Sequence, residues 1–161
     1  MDFKALFSTT SGRISRKTWW IGVVLLVIVG AVLSAILGAI GLGATATSAG
    51  WGSLIVALLL LYPGYCIGIK RRQDRGNNGL DLKILYGLTL LSALIQALGI
   101  GITATDVGNG VLIPTPAGWL MAFMVVLGIF GIYMLVQLGF LKGTPGANAY
   151  GADPVDSPAL A

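Results

Sequence analysis

Histidine and glutamate are absent from this chain, and cysteine occurs once. Without His there are no His-ligated metal centres and no Ser-His-Asp triads; without Glu, Asp is the sole carboxylate left for general-base work. The single thiol, Cys66, cannot form an internal disulfide, and its place inside an apolar run reads as a small buried hydrophobe. Charge is also scarce. Only 10% of the 161 residues are charged, against about 25% in a soluble domain. A water-facing surface cannot be assembled from so few charges. The 52 residues from Thr18 to Ile69 carry none at all.

Long apolar runs are what the chain has instead, with 56% hydrophobic residues. A spanning helix needs about 20 apolar residues. Four segments meet that length, at about 19–41, 52–69, 84–103 and 117–141, and none contains Lys, Arg, Asp or Glu. The runs are continuous rather than alternating, which favours helices over barrel strands. The expectation is an all-α fold: one integral membrane domain over 1–161, a four-helix bundle with a tail at 142–161. Ala44-Thr45-Ala46 resembles a signal cleavage site behind a basic start. The run before it exceeds the 7–15 residues or so of a signal core, so a retained span is expected.

All ten Lys and Arg fall in three places: Lys4, Arg13, Arg16 and Lys17; Lys70, Arg71, Arg72, Arg75 and Lys83; and Lys142. The connections at 42–51 and 104–116 have none. Basic residues stay on the cytoplasmic side of short loops. Four crossings therefore put both termini and the middle segment in the cytoplasm. Ten basic residues against Asp2, Asp74, Asp81, Asp153 and Asp156 leave +5 on that side, and Asp106 leaves −1 on the other. Trp and Tyr prefer the two interfaces. Trp19 and Trp20 open the first span, Trp51 and Trp119 open the second and fourth, and Tyr62, Tyr65 and Tyr86 lie toward the inner side.

Small residues let helices approach in lipid. Gly30, Ser34 and Gly38 recur at four-residue spacing, as do Ala93, Ala97 and Gly101, and Gly64 and Gly68. Pro63-Gly64 predicts a kink or end of the second helix. Gln96 and Gln137 are the notable polar side chains at depth, expected to join neighbouring helices.

The segment IKRRQDRGNNGLDLK, residues 69–83, carries the densest chemistry. It reads as a basic loop in which Asp74, among Arg71, Arg72 and Arg75, is placed for bidentate pairing. Gly76 and Gly79 around Asn77-Asn78 supply turn residues. Arg13 and Arg16 share a helical face just before Trp19-Trp20. The tail adds Asn148, Tyr150, Gly151, Asp153 and Pro154.

GRISRKTWW (12–20), KRRQDRGNNGL (70–80) and GTPGANAYGADP (143–154) together resemble the three ordered motifs of the DUF805 family of small bacterial inner-membrane proteins. The resemblance covers nearly the whole chain. It implies a multi-pass protein of the inner (plasma) membrane and no established activity. It marks Arg13, Arg16, Arg71, Asp74, Gly76, Gly79, Asn148, Tyr150, Gly151, Asp153 and Pro154 as family positions. The chain departs at Gln73, where the family usually has His, and at Leu80, where it usually has Trp.

These readings predict one polar cap on the cytoplasmic face. Asp74 and Asp153 pair with Arg13, Arg16, Arg71 or Arg75, while Asn148 and Tyr150 add neutral hydrogen bonds. The favoured function is non-enzymatic: the cap binds anionic phospholipid headgroups or a membrane protein partner, with a homo-oligomer open. A transporter or channel component acting as an oligomer is the alternative. An inner-leaflet enzyme ranks last, because no nucleophile stands beside Asp74. No cofactor, metal or nucleic-acid partner is expected.

Overall fold

The computed structural model describes residues 2–43, 46–108 and 112–155. The cleavage-like Ala44-Thr45 pair and Asp156 lie outside them. Helix α1 is Phe3–Ser8, α2 Arg16–Ala39, α3 Ala46–Asp74, α4 Leu80–Ala97 and α5 Gly118–Leu135. A π-helical turn, Val136–Phe140, continues α5. Between α4 and α5 stand two antiparallel strands, β1 Ile102–Asp106 and β2 Leu112–Pro116.

Four of these helices are long and apolar enough to cross a membrane, and the chain is a multi-pass membrane protein. Their outward faces are apolar. Val24, Val27, Ile28 and Val32 on α2, and Val125, Val126, Ile129 and Ile132 on α5, are all exposed. In water that surface would drive aggregation; in lipid it is the solvated face.

The structure corrects several expectations. The fold is mostly helical but not all-α, because residues expected to be a plain connection form the β-hairpin. Ile102, Thr103 and Thr105 are β-branched and suit a strand. The Ala117 N–H donates to the Gly101 carbonyl at 2.7 Å. Pair types alternate along an antiparallel ladder, so Ala104↔Pro114 and Ile102↔Pro116 fall at non-hydrogen-bonded positions. Both prolines therefore sit where the missing N–H would have faced outward.

Helix α4 stops at Ala97 rather than near 103, since Gly99 and Gly101 take positive φ. Helix α3 continues through Pro63 to Asp74, so Pro63 neither ends it nor opens a loop at 70. A membrane helix tolerates an internal Pro because the cost is confined to one lost backbone bond. The basic loop of the sequence reading thus shrinks to residues 75–79, and Lys70 to Asp74 form the last turn of α3.

Helix α3 is the hub, packing against α1, α2, α4 and the π-turn. Small residues set its approaches, though not all those expected. A Cβ on Gly22 would lie 3.3 Å from Ile67, and one on Gly30 3.1 Å from Leu60. Ser34 is exposed, and Gly38 has no neighbour within 4 Å. On the other face, Gly64 abuts Tyr86, Gly68 abuts Leu82, and Ala93 and Ala97 bury against Leu54. Among the described residues Gln96 does not bridge helices, as its amide donates to the Ser92 carbonyl and hydroxyl of its own helix, both at 3.2 Å.

Candidate functional site

The segments before α2, after α3 and after the π-turn meet at one end of the helices. The last turn of α3 begins the arrangement. Its terminal carbonyls have no partner within the helix, and its Lys and Arg side chains suit the negative end of the helix dipole. Arg72 O accepts from the N–H groups of Arg75 and Asn77, each at 3.0 Å. Gln73 O accepts from Gly76 N–H and from Asn148 Nδ2, each at 3.0 Å. Asp74 O accepts from the Thr144 N–H at 2.9 Å and its hydroxyl at 3.0 Å. The distant tail is therefore the C-terminal cap of α3.

Asp74 is the centre of this end. Its Oδ1 accepts from Arg13 Nε at 3.0 Å, and its Oδ2 pairs with Arg71 Nη1. All three side chains are buried. The remaining guanidinium donors go to carbonyls. Arg13 reaches Gly146 O at 2.6 Å, Thr144 O at 2.7 Å and Gly151 O at 3.2 Å. Arg71 reaches Leu138 O at 2.8 Å and also Leu141 O. Those two carbonyls are left free where α5 ends in the π-turn. A buried charge is tolerable only when paired and fully hydrogen-bonded, and this constellation meets that condition. Gly143 must be glycine, because a Cβ there would fall on the Asp74 carboxylate.

Three further groups brace the lock. Arg72 holds Asp81 with Nε at 3.2 Å and Nη2 at 2.6 Å, and it reaches Gln137 Oε1 at 3.1 Å. Arg75 binds the same Gln137, through its side chain and its carbonyl. Lys70, buried, clasps the end of α1 through Ala5 O at 2.6 Å and Leu6 O at 2.8 Å. The turn after α3 is shaped by Asn77 and Asn78, whose side chains accept from Gly79 and Leu80 N–H at 2.7 and 3.1 Å.

The expected site residues divide accordingly. Arg13, Arg71 and Asp74 come together as the ion-paired core. Among the described residues Arg16 and Arg75 pair with no carboxylate: Arg16 Nη1 donates to Phe140 O at 3.1 Å, and Arg75 turns to Gln137. Asp153 pairs with no arginine side chain either. It closes a turn, accepting from Val155 N–H at 3.0 Å and Gly146 N–H at 2.9 Å. The Val155 bond foremost, with the Gly146 bond and the field of Arg13, holds its carboxyl below its ordinary value against the opposing effect of desolvation. Asn148 bonds Gln73 O and Thr144, as a neutral contributor should. Tyr150 contributes its backbone N–H, to Asn148 Oδ1 at 2.8 Å. Sequence reasoning missed the Arg72–Asp81 pair and the clasp by Lys70; Gln137, expected to join neighbouring helices, does so by accepting from Arg72 and Arg75. An Arg and an Asp nine apart across an Asn-Gly turn was the available signal for the first.

Outside the lock lies an open cleft of about 590 Å³. Arg16, Lys17, Lys142 and Arg71 line it, with Asp74 and Asp153. Both acids are already engaged. Lys17 and Lys142 are exposed and have no hydrogen bond or ion pair among the described residues. No three acidic or cysteine side chains converge to hold a metal ion among the described residues.

No curated protein matches the chain, and neither does any solved structure. A family model described as a protein of unknown function, DUF805, matches residues 7–152. That span takes in the Arg13–Asp74–Arg71 lock and all but the end of the tail that caps it, and the chain belongs to the DUF805 family.

Proposed function

We propose that this protein is a multi-pass, four-helix-bundle component of the bacterial inner membrane with both ends and the 75–79 turn in the cytoplasm. Its Arg/Asp cap is the scaffold, and its cleft binds the phosphate of an anionic phospholipid headgroup. The observation that carries this reading is the charge balance of the cleft. Its two carboxylates are committed to Arg13, Arg71 and backbone N–H groups, while Arg16, Lys17 and Lys142 keep donors to spare. The cleft is lined by Ser15, Arg16 and Lys17 at the start of α2, where a headgroup would lie. The first turn of a long helix adds partial positive charge there. Segregation of every basic residue to one end favours the cytoplasmic orientation.

The test neutralises Arg16→Gln, Lys17→Gln and Lys142→Gln together in nanodiscs of mixed phosphatidylglycerol and phosphatidylcholine. Each cation contributes about 1 kcal/mol near an anionic surface. Loss of three should weaken the preference for phosphatidylglycerol by about 100-fold. Equal retention of both lipids by the unaltered protein, or an unchanged preference in the triple variant, refutes the reading and leaves the cleft to a protein partner.

A further inference from the structure

The surface between α3 and α4 holds two adjoining apolar hollows of about 240 and 300 Å³. Leu61, Tyr86 and Leu90 line both. Gly87 leaves its part of the groove open, whereas at Gly64 the ring of Tyr86 takes the place of the missing Cβ. Gly64 lets the Tyr86 hydroxyl come within 2.6 Å of where a Cβ would be, and a Cβ on Gly87 would meet nothing within 4 Å. Tyr65 and Tyr86 fix the wall edge to face, with ring centroids 6.1 Å apart. One residue at the rim is charged. Lys83 lies three and four residues before Tyr86 and Gly87, hence on the same helical face. It is exposed and unpaired among the described residues. The nearby acid, Asp81, is taken by Arg72.

From these features we infer that the groove holds one acyl chain of an anionic phospholipid, whose phosphate pairs with Lys83. Lys83 lies near the cap end of α4, and Leu90 lies seven residues further on. At 1.5 Å per residue the groove descends about 10 Å from the cation. An apolar trough of that depth with a single cation at its upper rim complements a headgroup and the start of its chain. A lysine at that level places its ammonium at the interface and its stem along the groove. A second copy of this chain fits less well, since two-fold packing here would bring another Lys83 to the same rim. The site goes beyond the headgroup cleft and shares no lining residue with it.

The full-length protein is reconstituted with phosphatidylglycerol bearing a diazirine on one acyl chain, irradiated, and its labelled peptides are mapped. Labelling should concentrate on 61–65 and 86–90. Gly87→Phe, whose Cβ meets no atom within 4 Å, is placed to fill the trough and should lower that labelling at least ten-fold. Lys83→Gln should lower it several-fold. The Arg16, Lys17, Lys142 triple variant should leave it unchanged, so the groove and the cleft stand or fall separately. Label spread evenly over α2 and α5, unchanged label in Gly87→Phe, or equal label from the phosphatidylcholine analogue overturns the inference. Gly87→Phe is first shown to fold by an unchanged thermal unfolding transition. If it does not fold, Gly87→Leu and Lys83→Gln carry the same test.

Discussion

Replacing Asp74 by Asn keeps the size of the side chain and removes its charge. Arg13 and Arg71, both buried, then face an amide that presents a donor to at least one of them. Their bonds to Thr144, Gly146, Gly151, Leu138 and Leu141 carbonyls remain possible. The loss is therefore chiefly the compensation of two desolvated guanidiniums. Removing one partner of a buried ion pair costs about 3–5 kcal/mol. The lock joins the tail to α3, so the cost should fall first on local opening of residues 143–153. At about 1.4 kcal/mol per tenfold, amide protection there should drop by roughly 100- to 4,000-fold, up to the protection available. Hydrogen exchange read by mass spectrometry suits this, with the Thr144, Asn148 and Gly151 amides as reporters, since each is bonded in the capped state. A double-mutant cycle with Arg13→Gln should give a coupling of about 1–3 kcal/mol. Tail protection within a factor of five of the unaltered protein, together with no coupling, would refute the assignment of Asp74 as the keystone.

Gln137→Leu removes the side-chain acceptor shared by Arg72 and Arg75 and should cost about 1.5–3 kcal/mol in detergent unfolding; Gln137→Glu should restore it. Gly79→Ala places a Cβ against Ile69 at φ +72° and should cost about 1–3 kcal/mol, with Ile69→Val recovering the steric share alone. Asp153 has a folded-state pKa below its ordinary value. Its contribution is thus complete above the usual carboxylate range and is lost as pH falls through the depressed value. Proteolysis of the tail should accelerate across that acidic window, and Asp153→Asn should already be fast above it.

The sequence by itself determined the solvent of this protein. Runs such as 19–41, with no charge, can be stable only in lipid, and their number and length set four membrane helices. It also determined which residues would meet: three segments holding every cation are the parts a membrane keeps together, and Asp74 was legible as the acid among them. Helix ends were less legible. Pro63 reads locally as a break, yet α3 passes through it, because in an apolar medium abandoning the helix would leave more than one backbone group unpaired. The hairpin was missed because Ile102 to Asp106 is too short to declare itself against an adjoining apolar run.

Only the tertiary structure decided who pairs with whom. Five arginines are available to Asp74, and proximity in sequence cannot rank Arg13, 61 residues away, above Arg75, its neighbour. That choice follows from where the end of α3 points and from Gly143, which leaves room for the carboxylate. The same geometry buries Asp74, commits Asp153 to backbone N–H groups and leaves Arg16, Lys17 and Lys142 exposed, a division set by packing.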